Sequence, residues 1–457
     1  MQPEERMPSF FSYSTKAGEA TGHRAGSVTS SRRTRCLMIV AFEALSIGTV
    51  EQHVNALRKL SRHDVEIVNV WSLRWLKSGL SRFDVIVFHY SIVIAQGYHI
   101  GAEARSRLAA SSALKVLFIQ DEYRWVDATA EAIRELGIGV LFTVVNEDVA
   151  KKIYHHPWLE GVRIEHTLTG FVDESLLKRS VPSYLDRTID VAYRARKVPF
   201  WLGSFAMEKW TIGERFRQQA EKCGLCCDIS SDESARLYGE FWIRFLSNAK
   251  AVLGTESGAS VCDFSGELQA GVEAAVRDNP EIDFHTVQKE VLCEADGRII
   301  IRVVSPRIFE AAALRTLMIN YPGTYSGRLI PWRHYVPLAK DHSNLEEVAS
   351  VIRDPQRAAQ IIDAAYREVA CSPQNSFRSM VMHFDRVVSD ELRLPSIETH
   401  DLSGYERRRR WSSLEVLSYI DLRVRPIASR LFGPLRWIYR RVLPLRFRAW
   451  LRNGIAK

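Results

Sequence analysis

The stretch Ile299-Ile300-Ile301-Arg302-Val303-Val304-Ser305-Pro306-Arg307-Ile308-Phe309-Glu310-Ala311-Ala312-Ala313 passes from an apolar, β-branched run straight into a helix start. Ile299 to Val303 reads as a strand. Ser305 stands where an N-cap belongs, Pro306 fits the first helical position, and Ala311 to Leu314 are good helix formers. A strand feeding a helix in this way is half of a βαβ unit. A helix that starts at the end of a parallel strand also presents free backbone N–H groups and the positive end of its dipole, which suits an anion such as a nucleoside diphosphate. Arg307 can add a bidentate phosphate contact. The same residues are equally those of an ordinary helix start with a surface arginine.

The same rhythm extends outward in both directions. Cys36–Ala41, Val65–Val68, Val85–Phe88, Val116–Ile119 and Val140–Val145 are strand-sized apolar runs, with a helix predicted at Val50–Leu60. Five such strands define a first doubly wound domain at 34–178. Ile189–Tyr193, Cys226–Ile229, Ala251–Gly254, Ile299–Val303 and Leu317–Asn320 repeat the pattern in a second domain at 179–376. Ser260 to Asp296 is long for one connection and is expected to hold a helix of its own. A periodic segment in 377–400 is expected to cross back over both domains. The fold class is therefore α/β, two tandem Rossmann-like domains, with ligands expected in the cleft at the carboxyl ends of the strands.

Composition narrows the class. The chain has 457 residues, 46% of them apolar and 25% charged, and lacks the ~18 consecutive apolar residues of a membrane span. Residues 1–33 are rich in Ser, Thr, Gly and Arg without an apolar core, so a disordered arm is expected rather than a secretory leader. Seven thinly spread cysteines fit reduced thiols and a cytoplasmic location. Cys223-x-x-Cys226-Cys227 has no second ligand pair at a suitable distance, so no metal is expected there. The formal charge of +8 resides in one place: 401–457 carries fourteen Arg and Lys against four acids.

Beyond these patterns, Phe309-Glu310-Ala311-x-Ala313 is followed by a strand. Then comes Gly323-x-Tyr325-Ser326-Gly327-x-Leu329-x-Pro331-Trp332-x-His334-Tyr335-x-Pro337-Leu338-x-Lys340-Asp341-x-Ser343-Asn344. Together these resemble the C-terminal domain of the group 1 glycosyltransferases of the GT-B type, in their bacterial surface-polysaccharide and spore-coat-like branch. Asp190-Val191-Ala192-Tyr193-Arg194-x-Arg196-Lys197, with Trp201-Leu202-Gly203 and Glu208-Lys209, resembles the opening of that domain. The likeness covers about 185–370, and the N-terminal domain only in architecture. It implies that the second domain binds a nucleotide-diphosphate sugar as substrate, with no cofactor, and that the first takes a glycan or lipid-linked acceptor. It also implies a donor-binding role for Ser305, Arg307, Glu310, Tyr325, Ser326 and Gly327. The wider group carries Glu-x7-Glu, whose first position falls here on Arg302, so the two-carboxylate arrangement does not transfer whole.

Transfer from a sugar nucleotide builds negative charge on the leaving diphosphate, which calls for cations. Arg194, Arg196, Lys197 and Lys209 follow the first strand of the second domain, and Arg196 and Lys209 are the expected donor contacts. No Asp-x-Asp triplet occurs, so no metal is expected in the site. In the first domain His89 and the pair Asp121-Glu122 follow strands and should face the cleft, as should Glu51 and His53 on the first helix. Glu256 follows the strand at 251–254. Glu310, His89 and Glu122 are the catalytic candidates; Glu51, His53, His89, Asp121 and Glu256 are candidates for the acceptor side. Polar residues at strand ends also serve as plain helix caps.

In the tail, Leu414, Leu417, Ile420, Val424, Ile427, Leu431, Leu435, Ile438, Val442 and Leu445 recur every three or four residues among arginines, broken by Pro426, Pro434 and Pro444. This basic amphipathic helical pattern suits an anionic membrane surface, at ~1 kcal/mol per cation, and a peripheral location on the inner face of the cell membrane. A tail packed on the enzyme or on a partner is the alternative, and nucleic acid is not an expected partner because neither domain body is basic. Two other functions share these features: a non-catalytic sugar-nucleotide-binding or scaffold protein, and a sugar-nucleotide epimerase of the same fold.

Overall fold

A computed structural model of the chain describes residues 34–394 and 412–420, apart from residues 77, 78 and 98. The arm 1–33 and the remainder of the 401–457 tail lie outside the described residues.

The first domain is built on six parallel strands in the order β2-β1-β3-β4-β5-β6. They are β1 (Arg35–Val40), β2 (Asp64–Asn69), β3 (Val85–Phe88), β4 (Leu114–Phe118), β5 (Val140–Thr143) and β6 (Arg163–His166). Helices α1 (Gly48–Leu60), α2 (Ala102–Ala109), α3 (Val126–Leu136) and α4 (Glu147–Ile153) alternate with them. Cys36 to Val40 and Val85 to Phe88 are all buried, which is why these central strands read as unbroken apolar runs. The sequence pattern predicts five strands and misses β6. That strand lies at the sheet edge, alternates half-buried and exposed residues, and has no apolar run to mark it.

After α5 (Glu174–Leu177) the second domain begins with β7 (Ile189–Arg194), α6 (Ser204–Ala220), β8 (Cys227–Ser230), α7 (Gly239–Ser247) and β9 (Ala249–Gly254). The strand predicted at Ile299–Val303 does not join the parallel sheet. Its ordered part, β11 (Ile301–Val303), pairs antiparallel with β10 (Ser257–Ala259) as a separate ribbon. Ile301 and Val303 are buried while Arg302 is exposed, the alternation of a one-sided strand that an apolar run conceals. Gly258 permits the pairing, since a Cβ there would stand 2.0 Å from the Ile301 carbonyl oxygen. The long connection between these two strands holds two helices, α8 (Glu267–Asp278) and α9 (Phe284–Glu290), around a small core of Val261, Val272, Val287 and Leu292.

Beyond the ribbon come α10 (Pro306–Ala313), β12 (Leu317–Asn320), β13 (Val336–Pro337), α11 (Leu345–Arg353) and α12 (Pro355–Ala365). The parallel sheet runs β13-β12-β9-β7-β8. One apolar cluster continues from Met38, Val87 and Val116 of the first sheet, through Phe171, Ile308 and Phe309, to Val252 and Met318 of the second.

The last long helix, α13 (Phe377–Glu391), returns to the first domain. Phe384 sits 6.0 Å from Phe118 and 6.3 Å from Phe142, ring centre to ring centre. The Asp385 carboxylate accepts from Ser61 Oγ at 2.5 Å and from the Arg62 N–H at 2.8 Å. Segment 412–420 of the tail also docks here, along the edge strand β2. Glu415 accepts from Arg58 Nε at 2.9 Å and from the Ile67 N–H at 3.4 Å, while Ser418 Oγ accepts from the Asn69 N–H at 3.1 Å. Two outward N–H groups of an otherwise open edge are thereby satisfied. Leu414 is buried by this docking, whereas Val416, Leu417 and Ile420 remain about half exposed.

The Arg58–Glu415 pair is nearly sealed from solvent, with side-chain exposures of 9% and 1%. Glu415→Ala removes the carboxylate that pairs with a buried guanidinium and covers a strand N–H. It is expected to lower the unfolding free energy by about 3 kcal/mol, and Leu417→Ala on the exposed face by less than about 0.5 kcal/mol, both read from urea unfolding curves.

Candidate functional site

The carboxyl ends of β7, β9 and β12 meet the start of α10 at a small cleft. Lys209, Arg307, Ser305, Asn320, Tyr193 and the Gly254–Thr255 turn line it. Two helices begin near these strand ends, and they differ. At α6 the first-turn donors are already taken: the Ser204 N–H donates to Asp296 Oδ1 at 3.1 Å and the Phe205 N–H to Ser260 Oγ at 3.0 Å. At α10 Ser305 makes no side-chain cap and Pro306 has no N–H to satisfy. The positive end of α10 is thus the one left for an anion.

Lys209 and Arg307 stand beside it. The Arg307 guanidinium donates to the Arg194 carbonyl and lies 4.8 Å over the Trp242 ring. Burial pushes the Lys209 ammonium down to about 8, helped by the nearby charges of Arg307 and Arg196 and opposed by Asp121 across the cleft. The Tyr193 hydroxyl holds the Lys209 turn by donating to its carbonyl at 2.5 Å. None of Lys209, Arg307 and Arg196 forms an ion pair among the described residues. The other two basic candidates serve the fold instead. Arg194 pairs with Asp228 at 2.7 Å, and Lys197 lies over the Trp210 ring at 5.5 Å.

Glu310 occupies a different face of α10. Its carboxylate accepts from Trp242 Nε1 at 2.8 Å, and burial raises its pKa above the usual carboxylate range. It lines a second, interdomain cavity of about 270 Å³ with Thr49, Gln52, Gly170, Asp173 and Phe377. Trp242, which no sequence pattern singles out, thus separates Arg307 from Glu310. Tyr325, Ser326 and Gly327 lie behind the cleft as a buttress. Tyr325 is fully buried and its hydroxyl donates to the Tyr321 carbonyl at 2.6 Å, while Ser326 Oγ accepts from the Val304 N–H at 3.1 Å. Glu256 belongs to the same buttress, accepting from the Tyr325 N–H at 2.6 Å and from Thr324 Oγ1 at 2.8 Å. Arg302 stands on the exposed face of the ribbon, 5.3 Å over the Phe205 ring.

In the first domain Asp121 is exposed toward these cations and accepts from the Tyr123 hydroxyl at 2.8 Å. His89 and His53 are buried as a pair. The Ser91 N–H donates to His89 Nδ1 at 3.0 Å, so His89 carries its proton on Nε2, which donates to His53 Nδ1 at 3.1 Å. Burial keeps both rings neutral, lowering His53 to about 3 and His89 well below its ordinary value. Glu51, part-buried and raised by burial, lies within electrostatic reach of Tyr419 in the docked tail segment. The cysteines at 223, 226 and 227 are free thiols, and burial pushes Cys227 up to about 12.

Glu122 is sealed beneath the surface that Asp121 presents. One carboxyl oxygen accepts from Thr143 Oγ1 and, at 2.5 Å, from the Tyr154 hydroxyl; the other has no partner among the described residues, and burial pushes the group up to about 8. The folded pKa is raised above the unfolded value of about 4.3. The stability Glu122 contributes is therefore complete below that value and is lost as pH rises toward 8, at up to about 1.4 kcal/mol per pH unit. Glu122→Gln is expected to gain stability over the wild type from pH 5.5 to 8, measured as urea midpoints; a pH-independent difference would contradict a buried neutral carboxyl.

No family model matches the chain, and no curated protein does. Among solved structures the chain is similar to TarM, 11% identical over 69% of this chain and 57% of that one, with a TM-score of 0.41. It is also similar to an alpha-glucosyltransferase in complex with UDP-glucose and DNA containing an abasic site (9% identical, 78% and 99% covered, TM-score 0.47). A third is Anabaena HepE in complex with UDP (10% identical, 79% and 99% covered, TM-score 0.44). The chain spans little more than half the length of TarM. The two tandem Rossmann-like domains, the GT-B architecture, stand on the strand orders given above.

Proposed function

We propose that the chain is a glycosyltransferase that moves a sugar from a nucleoside-diphosphate donor to a glycan or lipid-linked acceptor. The observation that carries this reading is the pair Lys209 and Arg307 lining the cleft at the open start of α10, with Arg196 within electrostatic reach of Lys209 and none of the three in an ion pair among the described residues. As the bond from the anomeric carbon to the diphosphate breaks, negative charge grows on the leaving oxygens. Fixed cations and a helix start stabilise that charge without reorganising. In this reading they serve where a divalent metal would in a metal-dependent transferase. Asp121, a first-domain acid that acts electrostatically on Lys209, is assigned to hold the hydroxyl of an acceptor. Glu310 and the His53–His89 pair act on the site through Trp242 and α1 rather than by direct contact with the reacting atoms.

Calorimetric titration with uridine, guanosine, adenosine and thymidine diphosphates in EDTA tests the reading. At least one is expected to bind, and Lys209→Met and Arg307→Ala are each expected to weaken it about 10- to 100-fold. A bound diphosphate favours the charged lysine, so wild-type affinity should fall as pH rises past about 8, a fall that Lys209→Met should not show. No binding by the wild type, or equal binding by both variants, would sink the proposal. Tight binding without donor hydrolysis or transfer would favour the non-catalytic reading, and isomerisation without transfer the epimerase.

A peripheral location on a cytoplasmic membrane face is part of the same proposal. No helix among the described residues is long and apolar enough to cross a membrane. The docked helix exposes Val416, Leu417 and Ile420 just ahead of the basic segment 421–457. Truncation after Ile420 keeps the docked segment, and it is expected to abolish co-sedimentation with anionic but not neutral vesicles; unchanged co-sedimentation would remove the membrane role.

A further inference from the structure

Asn320 ends β12, and its backbone is locked in the sheet: its carbonyl accepts from the Leu338 N–H at 2.8 Å. The side chain lines the same cleft as Lys209, Ser305 and Arg307. It is 1% exposed, and neither Oδ1 nor Nδ2 has a hydrogen-bond partner among the described residues. An amide buried in this way opposes folding through each unmet group. The neighbouring strand makes room for it, because a Cβ on Gly254 would stand only 2.3 Å from Asn320 Oδ1. A destabilising group in a space cleared for it, beside uncompensated cations, is the pattern of a ligand contact and not of core packing.

We propose that Asn320 reads the transferred sugar of the donor, through a hydroxyl that donates to Oδ1 and a hydroxyl oxygen that accepts from Nδ2. This rests on the cleft being a sugar-nucleotide site. The space that the amide borders is small, which suits a hydroxyl better than a nucleobase ring. The moiety that reaches it is bonded directly to a phosphate, because Lys209 and Arg307 line the same space. A hydroxyl is both donor and acceptor and so meets both halves of the amide, as a water would in the free protein. A donor lacking that hydroxyl leaves a buried amide unmet, which is the strongest form of discrimination a polar pocket provides.

The test compares wild type, Asn320→Leu and Asn320→Ser. Each is titrated with the nucleoside diphosphate that the wild type prefers and with that nucleotide's hexose conjugates, including pairs epimeric or deoxy at one position. Asn320→Leu, similar in size and without polar atoms, is expected to bind the free diphosphate within twofold of wild type. It should bind the sugar conjugate about 10- to 100-fold more weakly and prefer no hexose over its epimer. Its thermal midpoint should be equal to or above that of the wild type, because the unmet amide is gone. Asn320→Ser, which keeps one hydroxyl, should recover part of the conjugate affinity. Equal weakening of diphosphate and conjugate, unchanged binding of both, or a lowered midpoint in both variants would each overturn the assignment. A wild type that binds no nucleoside diphosphate would instead overturn the reading of the cleft.

Discussion

Lys209 and Arg307 line one cleft with Arg196 within electrostatic reach, none of them in an ion pair among the described residues, and like charges held together in a partly desolvated place oppose folding. The arrangement persists because the acids that could neutralise them are committed elsewhere. Asp296 closes the start of α6, Glu256 ties down the 324–325 turn, and Asp228 takes Arg194. Asp190 takes Lys250, and Glu208 takes Lys340. Glu310, on the same helix as Arg307, is drawn aside by Trp242. The uncapped start of α10 is therefore a product of the whole second domain. The lowered Lys209 ammonium is its electrostatic signature.

The seam between the domains follows from a related constraint, that buried backbone groups must find partners. Helix α3 starts after Trp125 in a left-handed conformation with no side-chain cap. Its first donors are satisfied from the other domain: the Val126 N–H by the Asp263 carbonyl at 3.3 Å and the Asp127 N–H by the Phe264 carbonyl at 3.1 Å. The Asp263 N–H returns a bond to the Tyr123 carbonyl at 2.7 Å. The loop that carries Asp121 into the cleft is thus set by the second domain as much as by its own strand. Glu122 lies directly beneath it as a neutral, buried brace. Opening the cleft at this seam would break three backbone hydrogen bonds together, which argues for motion by hinge or slide elsewhere and against fraying here.

Much of this architecture is legible in the sequence because parallel strands buried on both faces are unbroken apolar runs, as at Cys36–Val40 and Val85–Phe88. The exceptions have physical causes. β6 is an edge strand whose Arg163 and Glu165 pair with each other, and with Glu391 and His383 on α13. Ile301–Val303 is as apolar as a central strand but belongs to a ribbon, and only Gly258, in a partner strand more than forty residues earlier, reveals the pairing. At the site, Arg307 and Lys209 are readable from local pattern and family likeness. That Glu310 turns to Trp242, and that Tyr325 to Gly327 stand behind the cleft, depends on contacts between residues far apart in the chain. Asn320 carries the same signal as Asp121, a polar residue at the end of an apolar strand, but a strand end alone does not distinguish a cap from a ligand contact.

The docked tail segment shows the same economy at the opposite edge of the molecule. β2 is an edge strand, and its outward N–H groups would template another strand if left open. Glu415 and Ser418 cover Ile67 and Asn69 with side chains instead of a backbone. That choice closes the edge without extending the sheet. It also fixes the direction in which the helix leaves the domain, with Leu414 inward and Val416, Leu417 and Ile420 outward. A helix held by two side-chain contacts and one sealed ion pair is anchored through one face, and its other face remains apolar next to a strongly basic sequence. Anchoring and presentation are thus separate properties of the same turns, so a surface bound by the outward face would be tied rigidly to the first domain and, through α13 and the α3 seam, to the cleft.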